Sequence, residues 1–285
     1  MYQRNTRKIN SFLNRLGVMQ GRLVLQETNK IQSFPWKNWK KEFKICLRNN
    51  LHFIEWTIDN YNFLKNPINK PGGSEEINLL KKKYKTKIIS LTADFFMQKP
   101  FFKENLKKKI NNEFNKLKTI IINSNKIGVK YIILPLVDNS SLKNSKKIKS
   151  FIKKISELKN ELKKNKQMIL FESDLKPNKL HKFIKKFDKK YFGINYDTGN
   201  SASQGYEFNQ EKKYFDYVKN IHVKDRILNG ATVRLGRGNF DFKKFFKFIL
   251  RSKYKGNFIF QTARKRYKDI EEININKNYL INNLR

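Results

Sequence analysis

Glu172, Asp197, His222 and Gln261 are four side chains able to hold a metal ion, and each closes a short apolar run. The runs read MILFE at 168–172, FGINYD at 192–197, NIH at 220–222 and NFIFQ at 257–261. Each is β-prone and delivers one donor just where a polar loop begins. Parallel strands that all end on a ligand place those ligands on one rim, which is how a (β/α)8 barrel builds a site at its C-terminal face. One imidazole, two carboxylates and an amide oxygen make a hard, oxygen-rich set suited to one divalent ion, with Mn, Mg, Co or Zn all fitting. No thiolate takes part, because Cys46 is the only cysteine and sits in the apolar-periodic run 39–47.

His222 is the pivot of this set. Of the three histidines, His52 opens a strand on its N-terminal side and His181 lies within a lysine-rich helical stretch. The sequence HVKDR at 222–226 alternates so that His222, Lys224 and Arg226 share one side of the chain. A packed core would not favour that cluster, whereas an anionic or polyhydroxy substrate would. In DTGN at 197–200, a carboxylate, a glycine bend and an amide follow one another, a pattern that also reads as an Asx-type turn. Asp225 either orients the histidine from behind or pairs with Arg226. The glycines of GRGNFD at 236–241 do not follow a strand as a dinucleotide fingerprint requires. They read instead as letting a rim loop approach a ligand closely.

Strand-like runs at 16–20, 52–56, 87–92, 131–136, 168–172, 192–197, 220–223 and 257–261 alternate with helical spacing. The helical stretches are 36–49, 74–84, 103–126, 145–165, 177–187, a weak one at 209–217, then 241–252 and 270–283. Strict alternation predicts a parallel sheet, and eight such units predict a closed eight-stranded TIM barrel with outer helices. Turn and cap residues agree: Pro177 suits a first helical turn, Asp241 an N-cap, and Gly21 a bend that lets Gln20 and Arg22 point over the rim. No linker divides the chain, so residues 1–285 read as one domain, with 1–14 a poorly ordered extension.

The formal charge of +39 invites a nucleic-acid reading. Yet lysine far outnumbers arginine, and asparagine and isoleucine are also heavily used, as A/T-rich codons would produce. Lysines 107–109, 153–154, 163–164 and 185–186 lie in amphipathic stretches and read as solvated outer faces. Specific nucleic-acid binding is therefore not expected. The first 14 residues lack the apolar core of a signal peptide, and no run approaches the ~18 apolar residues of a membrane span. The expectation is a cytoplasmic protein, with a homo-oligomer left open.

The residues resemble the xylose isomerase-like TIM barrels, specifically the sugar phosphate isomerase/epimerase group. The resemblance rests on GVMQGRL at 17–23, FIEW at 53–56, AD at 93–94, FESD at 171–174, YDTGN at 196–200, HVKD at 222–225 and LGRGN at 235–239. It implies Glu172, Asp197 and His222 as ligands of one divalent ion. A strand-eight glutamate usually completes that set, and here Gln261 stands in its place. An amide oxygen can coordinate but cannot take a proton at neutral pH. A symmetric two-carboxylate mechanism is thus in doubt, leaving Glu172 as one base and Lys224, Asp94 or a bound water as its partner.

The expected function is a metal-dependent isomerase or epimerase of a small sugar or sugar phosphate, working by enediolate-type proton transfer. Glu172 and Lys224 are the expected catalytic groups. Gln20, Arg22, Glu55, Asp94, Asn139, Asn200, Asp225, Arg226 and Arg264 are the expected substrate-binding residues. A sugar or inosose dehydratase would begin with the same proton abstraction. An endonuclease IV-type enzyme would need several rim histidines, and a non-catalytic binding barrel has Gln261 as its best argument.

Overall fold

A computed structural model describes residues 9–27, 32–143, 146–263 and 269–284. Eight parallel strands close into a barrel: β1 (Leu16–Met19), β2 (Phe53–Thr57), β3 (Ser90–Thr92), β4 (Tyr131–Leu136), β5 (Met168–Ser173), β6 (Phe192–Asp197), β7 (Val218–Val223) and β8 (Asn257–Phe260). Each strand pairs with its sequence neighbours, and β8 returns to β1 through Leu16↔Phe258, Gly17↔Ile259 and Val18↔Phe260. The expected (β/α)8 TIM barrel is therefore the fold. Near-continuous apolar runs form these strands because a parallel sheet inside a ring of helices is covered on both faces.

Phenylalanine fills the space between barrel and helices. Phe171 stacks on Phe192 at 6.1 Å and touches Phe183 and Phe187 of the following helical segment. Phe12 packs between Phe246 and Phe258. Within the expected N-terminal extension, residues 9–13 are thus helical and close the bottom of the core, while 1–8 lie outside the described residues. The marked lysines at 107–109, 153, 163–164 and 185–186 all lie on exposed faces of outer helical segments. No described helix is long and apolar enough to cross a membrane.

Several element boundaries differ from the periodicity reading. The stretch 145–165 is two helices, Ile148–Ser156 and Lys159–Asn165. The weak helix at 209–217 resolves into one helical turn, Phe208–Glu211, followed by the 3-10 segment Lys212–Tyr217. A helix with no apolar periodicity, Thr198–Gln204, follows β6 directly, and Asp225–Arg226 pairs antiparallel with Thr232–Val233 as a ribbon above β7.

Candidate metal centre

The ends of β5, β6 and β7 bring Glu172, Asp197 and His222 together, with one donor atom from each lying within 4.8 Å of the others. All three are buried. His222 Nδ1 lies 3.0 Å from Glu172 Oε2 and 3.9 Å from Asp197 Oδ2. Its other ring nitrogen, Nε2, is 2.7 Å from Glu55 Oε1. An ionised carboxylate can only accept, so Nε2 carries the proton and Nδ1 is left facing the two acids. Donors about 2.1 Å from one ion lie roughly 3–3.5 Å apart at tetrahedral angles, a spacing that this triad approaches.

Glu55 is held from every side. Ser90 Oγ and Thr92 Oγ1 each donate to it at 2.7 Å, and Asn220 Nδ2 at 3.0 Å. It is fully buried beneath the histidine and is not presented to a substrate, contrary to the sequence expectation. Glu172 accepts from Asn195 and Asn200, both at 3.0 Å. Asp197 Oδ1 caps the Thr198–Gln204 helix through the Asn200 N–H at 2.8 Å. Its Oδ2 is 2.9 Å from Lys224 Nζ. One carboxylate thus starts a helix with one oxygen and faces the site with the other.

Burial opposes the imidazolium of His222, but the Glu55 and Glu172 carboxylates outweigh it and push the pKa up to about 10. Burial would likewise raise Glu172, and His222 and Lys224 overcome it, leaving this acid below its ordinary value. Asp197 goes the other way, because burial exceeds the help from Lys224. Asp94 is buried near Glu172 and Asp59, its Oδ2 has no partner, and burial with those two acids raises it to about 8. At neutral pH it therefore carries its proton. Three carboxylates, Glu55, Glu172 and Asp197, then face the Lys224 ammonium and the His222 imidazolium, and a dication replacing the Nδ1 proton would balance them.

The remaining expected site residues divide. Gln261 turns its amide oxygen to Lys224 Nζ at 2.8 Å, the ammonium that also contacts Asp197, and its nitrogen to Met19 Sδ at 3.4 Å. A neutral oxygen beside an ammonium is a good acceptor, which accounts for this contact. Gln20 is buried, with Oε1 accepting from Thr57 N at 3.1 Å, and Arg22 is buried beside it in sequence. Asn139 donates to the carbonyls of Met97 and Gln98 across the rim. Arg226 donates to the Gly230 carbonyl and so holds the ribbon turn. Arg264 lies outside the described residues.

Asp225 corrects the reading of the glycine loop. Its carboxylate accepts N–H groups from Arg226, Gly236, Gly238 and Phe240 at 2.9–3.2 Å. A Cβ on Gly238 would sit 2.3 Å from that carboxylate. The glycines let the backbone wrap an aspartate of the protein itself, and Asp225 is turned from substrate to loop anchor. Asp225→Ala, which orphans those donors, should destabilise the fold by roughly 3 kcal/mol and lower the melting temperature by about 5 °C. An unchanged thermal midpoint would show that the loop does not depend on this carboxylate.

Sequence reasoning missed Asn195, Asn220, Ser90 and Thr92, which sit inside strands and look like ordinary strand polar residues. It also missed Glu42, whose carboxylate accepts the Gly21 and Leu23 N–H groups and shapes the loop after β1.

No curated protein sequence matches the chain. Among solved structures, a xylose isomerase domain protein from Planctomyces limnophilus superposes with a TM-score of 0.73 at 13% identity, covering 94% of this chain and 96% of that one. The IolI protein with a bound zinc atom gives a TM-score of 0.72 at 15% identity over 95% and 98%. A D-tagatose 3-epimerase-like protein gives 0.70 at 16% identity over 93% and 97%. The sequence model of the xylose isomerase-like TIM barrels matches residues 43–280, and the chain belongs to that family.

Proposed function

We propose that this protein is a metal-dependent isomerase or epimerase of a small sugar or sugar phosphate. The observation that carries the proposal is the buried Glu172–Asp197–His222 triad, with His222 locked by Glu55 so that Nδ1 faces the two acids. The fold neighbours that include a zinc-bearing protein and an epimerase-like protein support it. A divalent ion held by the triad would polarise substrate oxygens and acidify the adjacent C–H.

The chain's own groups then divide the work. Glu172, kept ionised by His222 and Lys224, removes the proton at its carboxylate, while Asn195 and Asn200 fix the plane of that carboxylate. Asp94, which burial and the neighbouring Glu172 and Asp59 carboxylates push towards its protonated form, is the acid we assign to return one on the β3 side.

The test is deuterium incorporation. Mn²⁺-loaded protein in D2O, incubated with free and phosphorylated ketoses, should exchange the C–H next to the carbonyl of one substrate class. Glu172→Gln should slow that exchange by roughly 10²–10⁴-fold. Exchange that persists unaltered in this variant would remove Glu172 from the mechanism, and an exchange-free panel with metal-loaded protein would remove the isomerase reading.

A further inference from the structure

Lys224 is immobilised to a degree unusual for a lysine. Its ammonium lies between Asp197 Oδ2 at 2.9 Å and Gln261 Oε1 at 2.8 Å. Only 13% of its side chain is exposed. The stem lies across the bare backbone of Gly199, where a Cβ would meet its Cε at 2.7 Å and its Cγ at 2.8 Å. Thr198 clamps the backbone beneath, accepting the Lys224 N–H at 2.9 Å and donating to the Lys224 carbonyl. A free lysine side chain samples many rotamers, and here that freedom is removed before any ligand arrives.

Only one of the ammonium's two fixed head-group partners is charged. The other is a neutral amide, itself oriented by Met19. Asp197 is shared with a helix cap and lies against His222. The ammonium therefore keeps donor capacity, since it has three N–H bonds. Positive charge fixed in a dry site binds an anionic oxygen without reorganising.

We propose that Gln261 and Gly199 are positioning residues for Lys224, and that Lys224, so held, binds an anionic oxygen of the substrate. The substrate class is then a sugar acid or sugar phosphate rather than a neutral sugar. The inference rests on the enzyme reading above only in taking the anion to be the substrate's. Gln261 acts in it through Lys224 and not as a ligand of the ion.

The test uses the whole 285-residue chain, metal-free and with ¹⁵N-labelled lysine, and two probes, inorganic phosphate and glycolate. One slowly exchanging Nζ resonance, absent from Lys224→Met, should shift on adding one of the probes, and which probe acts distinguishes phosphate from carboxylate. Gln261→Met removes the amide at similar length. It should broaden that resonance and weaken the anion about tenfold, the loss of one well-placed charge-assisted contact. Gly199→Ala should do the same by displacing the stem. Gln261→Glu should keep the resonance sharp but also weaken the anion, because a second negative charge competes for the ammonium. Zinc binding in Gln261→Met, read by calorimetry, should equal that of the native chain. A Lys224 resonance indifferent to both anions overturns the proposal. So does a Gln261→Met protein that loses zinc while its lysine signal is unchanged. A native chain that binds the anion but no zinc would sink the metal reading and leave this one standing.

Discussion

A His222→Ala protein is expected to leave a desalting column with less than about a tenth of the divalent ion carried by the native chain. Alanine removes one of three donors that lie within 4.8 Å of one another, and the two carboxylates that remain already have a cationic partner in Lys224. Glu55→Gln tests the layer behind. Glu55 accepts from Nε2 and thereby keeps that proton in place, so that Nδ1 is the nitrogen an ion can take by displacing its proton. A glutamine can donate to Nε2 instead, which allows the proton to move to Nδ1, where it blocks coordination. The expected cost is roughly 10–100-fold in ion affinity, with little change in the triad's geometry. Elemental analysis with calorimetric titration checks both variants, and thermal melting confirms that each is folded. Native ion content in His222→Ala would refute the site, whereas native affinity in Glu55→Gln would show only that something else sets the tautomer.

The positions of the three strand-end donors were legible because a parallel strand announces its end by a polar residue after an apolar run, as Glu172 does after MILF. The eightfold alternation was legible for the same reason. What the chain does across the barrel was not. Glu55 and His222 are 167 residues apart, and nothing local distinguishes a glutamate that faces substrate from one that faces an imidazole. The Thr198–Gln204 helix is nearly all small and polar, so it has no apolar stripe to betray it. It starts because Asp197 caps it and because β6 ends there. Gly199, Gly236 and Gly238 look alike in sequence but answer to different neighbours: a lysine stem, Tyr279 and the Asp225 carboxylate. Gln261 could be recognised as replacing a glutamate, but its attachment to Lys224 depends on the β7–β8 register, which pairs Ile259 with His222.

Raising the pH should drive the stabilities of the metal-free and metal-loaded proteins apart. In the metal-free chain the two flanking carboxylates lift His222 to about 10, above an unfolded value of roughly 6.5. A raised basic group contributes stability that is fully present below its unfolded pKa and is lost as pH climbs through the folded one. Asp94, lifted to about 8, acts in the same sense, because the folded chain holds its proton more tightly than the unfolded chain does. With chelator present, the melting temperature should therefore fall between pH 6.5 and 8.5. An ion at Nδ1 must displace the imidazolium proton, so its affinity should rise with pH, by up to about tenfold per unit while His222 remains protonated in the free protein. Ligand-linked stabilisation grows with that affinity. The gap between melting temperatures with Mn²⁺ and with chelator should widen steadily over the same range, and calorimetry in buffers of different ionisation enthalpy should report a proton released on binding. A gap that stays constant, or uptake without proton release, would mean that the ion does not bind through His222 Nδ1.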